Sequence, residues 1–145
     1  MKMKGSVIIV LWLLLGAVGC TQNDGHIGDW FGMWQVERID IDGEKSGDYA
    51  GNVILKFQGS VMESCVLQPY HEQVSYFANC RIEPDALIVD AGSHPVWPAG
   101  YAPELHIPQA GEMRLEIVMH GNGRAVLRRE NSGTTYEYYL KKLYD

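Results

Sequence analysis

The 145-residue chain has no apolar run long enough to cross a bilayer as a helix. Its uncharged stretch from Gly5 to Gly19 falls short of the roughly 20 residues that a span requires. It also lacks an excess of basic charge. Twelve Lys and Arg stand against 18 Asp and Glu, for a net charge of −6, which argues against nucleic acid as a partner and against electrostatic docking on anionic lipid. The five histidines, His26, His71, His94, His106 and His120, show no HExxH or other metal-ligand spacing. "IDIDGE" (Ile39 to Glu44) is no calcium loop, because position twelve counted from Asp40 is Gly51 where that loop needs Glu. No G-x-S-x-G elbow is present. These absences point to no metal, no cofactor and no catalytic residues. No amphipathic helical period, internal repeat or low-complexity block stands out either, and the length suits a single domain with one core.

What is present begins at the N-terminus. Lys2 and Lys4 precede the apolar run, which is the layout of a secretory signal. Its end, "GAVGC", resembles the lipobox of bacterial lipoproteins, with small residues Ala17, Val18 and Gly19 ahead of Cys20. The resemblance implies cleavage after residue 19 and a diacylglyceryl group on Cys20, with two or three acyl chains such as palmitate. At about 0.8 kcal/mol per buried methylene, that number of chains anchors a protein stably on a membrane. The expected organisation is a signal peptide over 1–19, a polar Gly-containing tether over 20–29 and a folded domain over 30–145. The expected location is the bacterial cell envelope, on the outer membrane. Losing Lys2 and Lys4 takes the net charge from −6 to −8, so the anchor is covalent and not a basic patch. Cys65 and Cys80 remain, and an even pair in an oxidising compartment predicts a disulfide worth roughly 3 kcal/mol.

The folded part reads as strands. "NVILKFQ", "VSYFANCRI", "MRLEIVMH" and "TTYEYYLKKL" alternate apolar and polar residues. In the third, Met113, Leu115, Ile117 and Met119 are expected inside, with Arg114, Glu116 and His120 outside. Asn122-Gly123 and "NSG" at Asn131 to Gly133 mark hairpin turns. Eight strands follow, over 32–42, 52–58, 61–68, 74–82, 86–90, 113–120, 124–130 and 134–143. Short links make successive strands antiparallel neighbours, so the expected fold is all-β, an eight-stranded antiparallel up-and-down barrel, with a β-sandwich as the alternative. Closure removes the edge strands, and a barrel of this size holds one small ligand.

"GMW" (Gly32 to Trp34) at the first strand, the strand count and the basic last strand together resemble the lipocalins, and the chain looks like a small bacterial lipocalin-like lipoprotein. It has neither the Thr-Asp-Tyr turn motif nor the C-terminal helix of the larger members. The resemblance implies that Gly32 turns the chain in beneath the barrel and that Trp34 plugs the closed end. It also implies a basic side chain packed on that ring, from Lys141 or Lys142. Lys142 is preferred because it shares parity with Tyr138 and Leu140.

One irregular segment, 91–112, carries Pro95, Pro98, Pro103 and Pro108 with three glycines. Structureless links of that length are often functional. Its His94, Trp97, Tyr101 and His106 suit a lid over a cavity mouth, or equally a loop packed on the exterior. Arg128 and Arg129 alternate across one strand. Solvent is the default place for both, while one turned inward would meet a ligand carboxylate, as the likeness to fatty-acid-type barrels implies. The expected function is non-catalytic binding of a small apolar or amphipathic molecule in the lumen. The alternative is a packed barrel that contacts a protein or glycan through its loops.

Overall fold

Alternating side chains and two-residue turns produce a sheet that closes on itself. The structure, a computed structural model, describes residues 28–92 and 99–144. The signal peptide, Cys20 and most of the tether, like His94 and Trp97, lie outside the described residues. After a 3₁₀ turn at Gly28–Trp30 come β1 (Gly32–Ile41), β2 (Glu44–Lys45), β3 (Val53–Gln58), β4 (Val61–Leu67) and β5 (Gln73–Ile82). β6 (Ala86–Asp90), β7 (Glu112–Gly121), β8 (Arg124–Asn131) and β9 (Thr134–Tyr144) complete the sheet. From β3 to β9 each strand pairs antiparallel with the next, and β1 pairs with both β3 and β9. The eight long strands thus form a closed up-and-down barrel, with β2 a two-residue addition to the upper end of β1.

The turns explain the closure. Asp42-Gly43, Asn122-Gly123 and Ser132-Gly133 each place two consecutive residues at positive φ, the backbone of hairpin turns whose twist matches the strands they join. The side chains of Val53, Leu55, Phe57, Met62, Val66, Leu87, Val89, Leu127 and Leu140 fill the interior.

Two bulges reset the inward face. In β1 the pairing with β9 skips Glu37, so Trp34 and Val36 point inward below it and Ile39 above it, all at most 1% exposed. In β7 the pairing with β8 skips Val118. Met119 is therefore outside, 44% exposed, while His120, itself exposed, lays its ring on Trp30 at 4.5 Å between centres. Met119 thus departs from the expected alternation, whereas His120 is exposed as expected and covers the Trp30 ring at the barrel end.

The predicted disulfide is not formed, and Cys65 and Cys80 are both free and buried. Cys65 pairs with Ser75 across the β4–β5 ladder, and Cys80 lies five positions beyond Ser75. That offset is about 17 Å along the strand, against the roughly 4.4–6.8 Å between Cα atoms that a bridge tolerates. Being odd, it also puts the two thiols on opposite faces of the sheet. Burial pushes the Cys80 thiol up to about 12, which suppresses its thiolate. Under non-reducing conditions, iodoacetamide is therefore expected to alkylate both residues in denaturant and neither in the native protein. Peptide mapping reads the result, and a pair that stays unlabelled after unfolding would restore the bridge.

Candidate functional site

The two ends of the barrel differ in chemistry. At the lower end, Gly32 enters β1 at φ +112, a conformation that favours glycine. Trp34 is 1% exposed, and its indole N–H donates to the Trp30 carbonyl at 2.9 Å. Trp30 lies on it at 5.2 Å between ring centres and meets Phe57 edge-on at 5.7 Å. The Lys142 ammonium sits 5.6 Å from the centre of the Trp34 ring and donates to the Asp29 carbonyl at 3.1 Å. This end is a closed aromatic floor.

The upper end is shaped by the shortness of β6. Because β6 stops at Asp90, opposite Asn79, the upper half of β5 has no β6 residues beside it. The segment returning to β7 fills the gap: Ala99 bridges Phe77 in parallel, and the Gly100 N–H donates to the Phe77 carbonyl at 3.1 Å. From there the chain turns into the lumen. Tyr101, Ala102, Leu105 and Ile107 are all at most 5% exposed and join the barrel core. Of the predicted lid residues within the description, Tyr101 is thus an interior anchor. His106 remains exposed, with its ring 6.0 Å from that of Tyr136.

Polar groups of the wall hold this insertion by its backbone. The Ala102 N–H donates to the Ser64 hydroxyl at 2.9 Å, and the Tyr138 hydroxyl donates to the Leu105 carbonyl at 2.7 Å. Arg129 Nη2 donates to the His106 carbonyl at 2.6 Å. The Tyr101 hydroxyl accepts from the Ala91 N–H at 3.1 Å and lies 3.1 and 2.9 Å from the Val89 and Gly111 carbonyls. Burial pushes the Tyr101 phenol up to about 12 and also raises that of Tyr138. Tyr49 bridges the seam where β1 and β3 part. It donates to the Val36 carbonyl at 2.6 Å and accepts from the Val53 N–H at 3.3 Å, and burial pushes it up to about 12 as well.

Arg129 is the exception among the basic residues of the wall. Arg128, one position earlier, points outward and is ion-paired with Glu137 at 2.8 Å. On the outer wall a shallow cleft of about 300 Å³ holds Arg124 and Arg38, and both have carboxylates beside them, Glu37 for Arg124 and Asp40 for Arg38, whose guanidinium also lies over the Tyr139 ring. Arg129 points inward with Ala125 and Leu127 and is 2% exposed. It has no carboxylate partner among the described residues. Its guanidinium lies 4.3 Å from the Tyr136 ring centre, Nε is 3.5 Å from the Tyr138 hydroxyl, and Nη1 has no hydrogen-bond partner there. Burying an uncompensated cation costs several kcal/mol. A ring face and one neutral carbonyl offset part of that, at about 1–2 kcal/mol each.

Among the described residues, no three His, Cys, Asp or Glu side chains gather as a metal site. Sequence reading left both arginines solvated by default. The signal that separates them is parity with Ala125 and Leu127, two apolar residues of the same strand.

No family model matches the chain, and no curated protein does. Solved structures do. A lipocalin-like protein from Bacteroides uniformis is similar at 19% identity, with a TM-score of 0.61, covering 80% of this chain and all of that one. An uncharacterized protein from Bacteroides eggerthii is similar at 16% identity, with a TM-score of 0.59, covering 79% of this chain and all of that one. At these identities the likeness is one of fold, and the fold is a lipocalin-like β-barrel.

Proposed function

We propose that this chain is a non-catalytic binding protein that takes a small amphipathic molecule into the upper half of its barrel, in place of the inserted segment. One observation carries the reading. The space above the aromatic floor is filled by a connection between strands, gripped through its backbone by Ser64, Arg129 and Tyr138. A barrel evolved to be solid fills its lumen with wall side chains. Here wall side chains fill the lower part, while a connection between strands fills the upper part and has polar groups directed at it. The same proposal includes the lipid anchor on Cys20 and the envelope location, which rest on the N-terminal sequence.

Native mass spectrometry of the full-length gene product, extracted from a bacterial host, tests both parts. The expected spectrum shows loss of residues 1–19, gain of acyl chains on Cys20, and a discrete further mass that leaves on unfolding. A polypeptide without the acyl mass would refute the anchor. A loaded mass absent at every stage of extraction would favour the second reading, a packed barrel acting through its rim. That reading has its own observation: Leu67, Tyr70 and Val74 around the β4–β5 turn are 45%, 94% and 40% exposed.

A further inference from the structure

We infer that the corner of the barrel formed by the β7–β8 turn and the end of β9 rests on the surface of a phospholipid bilayer, with Val118 and Met119 at the head-group level and Arg124, Lys141 and Lys142 beside the phosphates. The inference rests on the lipid anchor proposed above and adds to it the face that meets the membrane. It is independent of what the lumen holds.

Net charge argues against anionic lipid as a partner of the chain as a whole, but the charge is unevenly placed. At the upper end Asp42, Glu44, Asp48, Glu72 and Glu130 stand in or beside the connecting turns, and Lys45 is the one Lys or Arg among them. At the lower end cations gather at one corner. Arg124 lies directly opposite Lys141 in the β8–β9 ladder, and the Lys142 N–H donates to the Gly123 carbonyl at 2.9 Å. Arg124 is paired with Glu37, whereas exposed Lys141 has no acidic partner among the described residues. Like charges directly opposite one another weaken a sheet, so the fold keeps this pair against its own stability.

The β7 bulge breaks a second rule at the same corner. Val118 and Met119 both stay at the surface, 43% and 44% exposed, where unbroken alternation would have buried Met119. Met119 lies opposite Val126, which shares the outer face of β8 with Arg124. Exposed apolar side chains beside cations match a bilayer surface, which offers the acyl boundary to the first and phosphates to the second.

The chain enters the barrel at this corner too. The His120 ring covers Trp30, and the Lys142 ammonium donates to the Asp29 carbonyl. From Cys20 to Gly28 is eight residues, at most about 29 Å of extended chain. An acylated Cys20 therefore holds this corner, and not the acidic rim, close to the bilayer. Charges are screened beyond about 8 Å at physiological salt, so the membrane feels the corner while the rim at the opposite end adds little repulsion.

The acylated full-length product is reconstituted into vesicles of phosphatidylethanolamine with phosphatidylglycerol, and into vesicles of phosphatidylcholine alone. A fluorophore is attached at Met119→Cys or, as a reference on the rim, at Leu67→Cys. Cys65 and Cys80 are buried, and Cys20 is blocked by its lipid. A nitroxide on the lipid head group is the quencher. In the anionic vesicles at about 0.01 M salt, where screening extends to about 30 Å, quenching at 119 is expected to exceed that at 67 at least about twofold, since interfacial side chains reach about 5–10 Å into the head-group boundary. At about 1 M salt, where screening falls to about 3 Å, the excess should shrink. Combining Arg124→Gln with Lys141→Gln should abolish it, and Lys141→Gln alone should reduce it without lowering the unfolding midpoint. Equal quenching at 119 and 67 in protein that floats with the vesicles would overturn the assignment, leave the anchor standing and give the corner to an acidic protein surface instead. An excess as large on phosphatidylcholine, and unaltered in the double variant, would overturn the phosphate contacts and show that the tether alone sets the distance. Protein that floats with neither vesicle would remove the anchor, and this inference with it.

Discussion

Replacing Trp34 with alanine is expected to lower unfolding stability by about 3–5 kcal/mol, as large-to-small changes of buried aromatics do. The ring is 1% exposed and lies within 6 Å, centre to centre, of both Trp30 and His120, so neighbours on two sides lose contact with it at once. Its N–H also satisfies the Trp30 carbonyl, and losing that bond leaves a buried acceptor unpaired at about 1–3 kcal/mol more if water cannot enter. A domain of this size has roughly 5–15 kcal/mol in total, so the variant should approach the threshold of folding. Guanidinium titrations of wild type, Trp34→Ala and Trp34→Phe measure it, and phenylalanine should recover more than half of the loss. A Trp34→Ala protein with an unshifted midpoint would show that the floor is held by Trp30 and Phe57 without it.

The strands were legible because their period of two survives on most of them and because x-Gly turns punctuate them. Eight of the nine strand ranges lie within one residue of the expected ones; β2, only two residues long, carries too little pattern to detect. What was not legible follows from bulges and register. A single extra residue at Val118 turns Met119 out to solvent and brings the exposed His120 ring onto Trp30, and nothing in "EIVMHG" marks the position. Cys65 and Cys80 look like a pair until the β4–β5 register puts Cys65 opposite Ser75. The inserted segment was hidden for a related reason. Whether 99–107 covers the mouth or enters it depends on how early β6 ends, and that is set by its pairing with β5 and β7 rather than by its own pattern. Arg129 was partly legible, since strand parity alone gives its direction, but its lack of an acidic partner belongs to the assembled lumen.

A steep loss of stability between about pH 9 and 12 is the second expected result. Tyr49 and Tyr101 are pushed from their ordinary 10 up to about 12 by burial, and Cys80 from 9 up to about 12 by the same cause. All three are neutral when protonated, so the unfolded chain gives up these protons before the folded one does. Their contribution is complete below pH 9. It declines as pH passes first the unfolded thiol and then the unfolded phenols, and it is gone above 12. Each decade of displacement is worth about 1.4 kcal/mol. Even halved for the water that reaches the barrel rim, the three together remove several kcal/mol, a large part of the whole. Two of the three groups are the ones that close the upper barrel. Ionised Tyr101 can no longer donate to the Val89 or Gly111 carbonyls, and ionised Tyr49 can no longer donate to that of Val36. The inserted segment should therefore loosen before the tryptophan floor does, with tyrosinate absorbance rising ahead of the change in tryptophan fluorescence. Tyr101→Phe removes one titrating group, so its stability should fall less steeply over that range, after an initial cost of about 1–2 kcal/mol at neutral pH. Coincident absorbance and fluorescence transitions, with the same slope in Tyr101→Phe, would mean that the upper barrel and its floor unfold as one unit and that the phenols titrate only after they are exposed.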